Sequence, residues 1–248
     1  LEPVFDEHKG RNGRLSVQTD PRFHSDAKKL ADQAEEFHNL ARNIVVKIPA
    51  TKTGLEAIED ATSRGVSINV TVSFSVPQAV QAAEAIERGL KAREAAGHDT
   101  SEMGPVARDG IFIDPSALDW AGIAAMKRAY QIFQERGYRA RVLAAAFRNV
   151  NQWAEFVGGD VVVSPPFKWQ KIIADSGYTA RERIADPVDP HYIAELERIP
   201  DFVRAYEPDG MTVEEFEEFG PTRKTLRQFL AADADLDALV RDIIVPAP

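Results

Sequence analysis

The chain has 248 residues, 44% of them hydrophobic, which is enough for one large α/β domain with a substantial core. A net charge of −9 argues against broad nucleic-acid binding and against docking on an anionic membrane, while leaving room for a small anionic substrate held by a local arginine. With no cysteine there is no disulfide framework, thiolate chemistry or cysteine metal site, which fits a reducing, cytoplasmic setting; no signal-peptide pattern opens the sequence and no apolar run approaches a membrane span.

Strand-like and helix-like segments alternate along the chain. Residues 15–19 read as a strand and 25–41 as an amphipathic helix N-capped by Ser25. The next strand, 43–49, is apolar except for Lys47. Thr51 caps a helix to about residue 64, closed by Gly65. A strand is expected over 67–74, and Pro77 opens a long helix ending near Gly97. Another helix spans 116–136 and stops at Gly137; strands at 140–146 and 160–164 flank the helix containing Trp153. This βα alternation implies a parallel sheet, open or closed into a barrel. The interval between the strands starting near 67 and 140 should hold a further strand, for which residues 110–113 are the best but weak candidate. From about residue 175 prolines and acidic loops separate helical stretches, read as an extension that caps the barrel and ends in a helix over 222–244. The whole, 1–248, reads as a single domain.

Lys47 carries the most chemical information. A lysine buried without a partner is costly; desolvation would instead keep its amine neutral and nucleophilic toward a carbonyl. The alternative is an edge strand that turns Lys47 to water. In the strand over 67–74, Asn69, Thr71 and Ser73 alternate with apolar residues, so a period of two puts them on one face. That face lines the interior of a barrel, or is the solvated side of an antiparallel sheet. Ser16 and Gln18 form a similar pair on the first strand. Arg148 follows a strand ending in small alanines, where a βα barrel places its active site, although a surface arginine reads the same way. One lysine, a glutamine, an Asn-x-Thr pair and an arginine on successive strands suit Schiff-base chemistry on a phosphorylated sugar, with no metal or cofactor required.

The run Asn43-Ile44-Val45-Val46-Lys47-Ile48-Pro49-Ala50-Thr51, followed by Gly54, resembles the Schiff-base lysine motif of transaldolases. Gly65 through Ser75 is similar to that family's next strand and Gly13 through Arg22 to the preceding one; Ala144 to Asn149 and Trp153 to Pro166 resemble its last two strands. The resemblance implies a (β/α)8 TIM barrel with additional C-terminal helices. It also implies transfer of a dihydroxyacetone unit from a ketose phosphate to an aldose phosphate, in the pentose phosphate part of carbohydrate metabolism. Lys47 would form the Schiff base, Thr71 would help hold the catalytic water, Asn69 would line the site and Arg148 would bind substrate phosphate. Partners beyond the sugar phosphate are not implied, and a homo-oligomer is left open.

Some residues depart from the family pattern. Gln18 stands where most transaldolases carry a glutamate, and fructose-6-phosphate aldolases carry a glutamine, so direct aldol cleavage is an alternative. Ala146 replaces a serine often found beside the phosphate-binding arginine. Nothing before Leu1 matches the family's first two strands, the first of which carries an acid/base aspartate; its sixth strand looks cut off after Val106. A join between pieces of a longer protein is therefore expected at Val106–Ala107. The missing aspartate also keeps a third reading open, a non-catalytic barrel that binds a sugar phosphate or a partner protein.

Overall fold

The computed structural model describes residues 1–100, 103, 106–109, 118–147 and 149–245. Its centre is a six-stranded sheet: β1 (Leu15–Gln18), β2 (Ile44–Pro49), β3 (Ile68–Thr71), β4 (Val106–Asp109), β5 (Arg141–Ala145) and β6 (Val161–Ser164). Every neighbouring pair is parallel and the spatial order is the chain order, β1-β2-β3-β4-β5-β6. A doubly wound sheet reverses its order at a switch point and places helices on both faces. Crossovers of one hand that always step the same way put their helices on one face, as in a βα barrel.

The packing follows that logic. Val46, Ile48, Ile68, Val70, Val142 and Ala144 point to one side and are buried. They share a core with residues of α2 (Ala27–His38), α3 (Lys52–Ser63), α4 (Val76–Ala95) and α5 (Ala121–Arg136). A short helix, α1 (Glu2–Glu7), precedes β1, its buried Phe5 lying under the guanidinium groups of Arg14 and Arg42. Among the described residues no ladder pairs β6 with β1. The two ends of the sheet nevertheless approach each other: Arg11, just before β1, meets Asp160, just before β6, at 2.5 Å, and Arg141 donates to the Arg11 carbonyl at 3.3 Å.

Local chemistry explains the boundaries. Thr51 caps α3 as its sequence predicts, accepting the Gly54 N–H at 3.0 Å. Gly54 also lies against the end of β2, where a Cβ would overlap the Pro49 carbonyl oxygen. Gly137 ends α5 at φ 62, a left-handed conformation natural to glycine. The helix expected over 25–41 is shorter, and its cap is Asp26 rather than Ser25, because the Asp26 carboxylate accepts the Lys29 N–H at 3.0 Å. β3 is also shorter than expected, since Val72 turns to φ 55. The further strand expected between β3 and β5 is present as β4, which brings the described sheet to six strands. β4 spans the Val106–Ala107 junction, where a join was expected, pairing with β3 through both residues. The candidate strand at 110–113 lies outside the described residues.

After α6 (Val150–Glu155) and α7 (Phe167–Asp175), the C-terminal extension comprises α8 (Pro190–Leu196), α9 (Pro200–Tyr206) and α10 (Gly220–Ile244). It is anchored by buried apolar groups: Leu196 and Phe202 pack on Ala121 and Ala124 of α5, while Phe216 and Phe219 enter the main core. A buried ion pair adds to this, Lys127 to Glu155 at 2.7 Å, with the same ammonium donating to the carbonyls of Arg183 and Asp186 at 2.8 Å each. Three polar partners in one place make a buried charge tolerable. No helix among the described residues is long and apolar enough to cross a membrane.

Candidate active site

Side chains at successive positions of a strand alternate faces. Because Val46 and Ile48 face the helices, Lys47 faces the other way, and it lines a cavity of about 700 Å³. Lys47 is half-buried, so its strand is neither an exposed edge nor sealed on both faces. In register beside it stand Gln18 on β1 and Asn69 on β3. Thr71 is two residues beyond Asn69, opposite Pro49, and is buried.

Asn69 is 5% exposed and lines the same cavity; its side-chain amide donates to the Ser16 hydroxyl at 3.0 Å. Its Oδ1 has no hydrogen-bond partner, which is costly for a buried carbonyl and leaves an acceptor ready for a ligand hydroxyl or water. Gln18 turns toward the backbone: its Nε2 donates to the Lys47 carbonyl at 3.3 Å, and the Thr19 hydroxyl donates to the same oxygen at 3.0 Å. Ser73 is buried with an unpartnered hydroxyl, but it lies past the end of β3, beyond left-handed Val72. The two-residue repeat that aligns Asn69 with Thr71 therefore stops short of it. Arg148 lies outside the described residues.

The structure thus brings together Lys47, Asn69 and Ser16 around one cavity, with Gln18 and Thr71 alongside them in the ladder. Sequence reasoning missed the charge of this cavity. Arg11, Arg14, Lys47 and Arg141 all line it, and among the described residues no carboxylate does, in a protein whose net charge is −9. Asp160 sits next to it, paired with Arg11 and at 3.5 Å from Arg141. The three arginines belong to the N-terminal end of the sheet, whereas Ala145, Ala146, Ser164, Pro165 and Pro166 form the opposite end. The only available signal was position: an arginine starting a strand, or just preceding one, reads from sequence as ordinary surface charge. Among the described residues no group of three or more His, Asp or Glu side chains is placed to hold a metal ion.

At the rim after β1, Asp20 accepts the Arg22 N–H at 2.8 Å and holds the guanidinium of the same residue. That side-chain hydrogen bond keeps the Asp20 carboxyl below the usual carboxylate range. Arg22 also reaches Asp233 at 3.3 Å and Asp237 at 3.6 Å on α10, so the last helix passes the C-terminal end of β1.

Fold and site together define a class: a singly wound parallel α/β protein with a lysine facing a cationic interior cavity. Residues 2–200 match the family described as Transaldolase/Fructose-6-phosphate aldolase, and the chain belongs to that family. Among curated proteins it is 38% identical over 166 residues to "Transaldolase 1" of Streptomyces avermitilis, covering 59% of this chain and 44% of that protein. It is 34% identical over 151 residues to "Transaldolase" of Acidothermus cellulolyticus, covering 54% and 41%. For "Transaldolase" of Mycobacterium tuberculosis the figures are 34% over 158 residues, covering 60% and 41%. The chain spans less than half the length of these curated relatives.

Proposed function

We propose that Lys47 is a Schiff-base nucleophile and that the protein moves a dihydroxyacetone unit from a ketose phosphate to an aldose phosphate. The observation that carries this reading is the direction of Lys47. It points into a cavity whose described lining holds Arg11, Arg14 and Arg141 besides Lys47 and no carboxylate, beside an unpartnered Asn69 acceptor. Such a cavity suits a polyhydroxylated anion. Family membership supports the same chemistry.

In the reaction, the neutral Lys47 amine adds to the ketone and loses water to give an iminium. The iminium accepts the electron pair of the breaking carbon–carbon bond, an aldose phosphate leaves, and an enamine of the three-carbon unit remains. Attack of that enamine on an acceptor aldehyde makes the new carbon–carbon bond, and hydrolysis returns the ketose and free Lys47. Asn69 and Ser73 orient substrate hydroxyls, Thr71 and Gln18 hold the water that carries protons, and Arg148 pairs with phosphate. The scaffold is read as a (β/α)8 barrel of which this sheet is six consecutive strands. A parallel sheet wound one way, with α2 to α5 packed on one face, supports that reading.

A second reading, direct aldol cleavage without transfer, is favoured by Gln18. An amide cannot serve as a general base as a glutamate can. A coupled assay with and without an acceptor aldose separates the two: product formation that depends on acceptor supports transfer.

Incubation with fructose 6-phosphate and borohydride should add the reduced three-carbon fragment to Lys47, located by peptide mass spectrometry. Lys47→Arg should abolish the adduct, because a guanidinium stays protonated. An adduct persisting in that variant would assign the chemistry to another lysine. Sugar-phosphate binding with no adduct in the wild type would support a non-catalytic binding barrel instead.

A further inference from the structure

Beyond the ends of β2 and β3 the ladder stops, and the two chains part. β2 turns into the cap of α3 at Thr51, and β3 is diverted by Val72 at φ 55. A β-branched residue in that region is strained and persists only where its surroundings hold it. The holding group is Gln78, in the first turn of α4 and fully buried. Its Nε2 lies within hydrogen-bond distance of three acceptors from three segments: the Ala50 carbonyl at 2.8 Å, the Val72 carbonyl at 3.1 Å and the Thr222 hydroxyl at 3.2 Å. Its Oε1 accepts the Phe74 N–H at 3.0 Å and the Ser75 hydroxyl at 3.1 Å. Thr222, equally buried, lies in the first turn of α10.

One side chain thus ties together the continuation of the Lys47 strand, the continuation of the Thr71 strand and the start of the C-terminal helix. The Ala50 N–H donates to the Thr71 carbonyl at 2.7 Å, and Ala50 and Val72 follow directly on the paired ends of β2 and β3. Fixing both sets how Thr71 stands relative to Lys47, and it orients Ser73 immediately beyond Val72.

We propose that Gln78 is a positioning residue for the Lys47 site, and that Thr222 couples α10 to the same function. This rests on Lys47 being the Schiff-base nucleophile, and the test separates the two claims. Gln78→Met keeps the side-chain volume and removes every side-chain hydrogen bond; Thr222→Val removes only the α10 partner. Borohydride trapping of Lys47 is measured against fructose 6-phosphate concentration, with the folded fraction of each variant followed by circular dichroism. Gln78→Met should lower the trapping rate at saturation at least tenfold, with half-saturation within threefold of wild type. Thr222→Val, which retains the Ala50 and Val72 contacts, should lower it about threefold.

A loss accounted for by the unfolded fraction, with folded molecules reacting at the wild-type rate, would overturn the proposal. So would an equal loss in rate and saturation. If the wild type gives no adduct, the Schiff-base reading falls, and positioning is judged from the Lys47 resonance of protein reductively methylated with 13C-formaldehyde. A Lys47 methyl signal shifted by Gln78→Met supports the placement role, and an unchanged one removes it.

Discussion

The centre and the margins of this sheet are built from similar residues and behave differently. Val46, Ile48, Ile68 and Val70, on β2 and β3, are each fully buried, whereas Leu15 on β1 is 49% exposed and Val163 on β6 is 41% exposed. β2 and β3 have a ladder on both sides and helices over one face; among the described residues β1 and β6 each have one neighbour. At the margins, an ion pair and a backbone contact made by Arg11 stand where apolar packing does the holding in the centre. Lys47 and Asn69 lie on the central strands, where the surroundings over-determine side-chain direction. That is why their geometry is well specified although the cavity they face is bounded partly by exposed strands.

Truncation should separate the two regions most clearly. Ile48→Ala is expected to cost about 2–5 kcal/mol, because it removes a fully packed side chain and leaves a cavity. Val163→Ala should stay within about 0.5 kcal/mol, the usual range for an exposed position. Urea unfolding of both variants checks this, and similar losses at the two sites would break the distinction. Gly54→Ala tests the centre from the opposite direction. A methyl group there overlaps the Pro49 carbonyl oxygen, so α3 must back away from β2, at a cost of about 1–3 kcal/mol in thermal or denaturant unfolding. A neutral result would mean that the α3–β2 contact is loose.

Smaller effects belong to the margins. Arg11→Ala removes the contact with Asp160 at a solvent-exposed site and should change stability by about 0–1 kcal/mol, diminishing further in 0.5 M salt. A larger and salt-insensitive loss would show the margin to be held more tightly than its exposure indicates. Asp20 gives the smallest expected effect, read through pH. Its folded carboxyl titrates below its ordinary value because Arg22 bonds to it. The resulting stabilisation is complete above the unfolded value of about 3.9 and is lost as pH falls through the lower folded value. Melting temperature followed from pH 6 to pH 3 should therefore fall slightly less steeply in Asp20→Asn than in wild type. Identical slopes would show that the rim contact contributes nothing.

Much of this molecule was legible in the residues alone. The alternation of strands and helices, the Thr51 cap and the Gly137 stop are local, governed by hydrogen bonds a few residues apart and by one glycine's left-handed conformation, so they can be read without the fold. The same is true of Lys47 as an outlier in an apolar strand. Other features needed partners distant in sequence. The sequence pointed to Ser25 as the cap of α2, and backbone geometry chose Asp26 instead. β4 carries a weak local pattern and becomes a strand because β3 and β5 offer ladders on both sides. The end of β3 at Thr71 depends on Gln78 and Thr222, the latter more than 140 residues away along the chain.

The sequence by itself determined the class of fold, the family resemblance and the identity of the candidate nucleophile, because each depends on short-range periodicity or on a contiguous motif. Tertiary structure alone decided that the sheet is wound one way, that Lys47 and Asn69 share a cavity, and that arginines from three separate positions turn that cavity cationic in an acidic protein. The physical reason is that the charge and shape of a cavity are sums over residues that only the folded chain brings together.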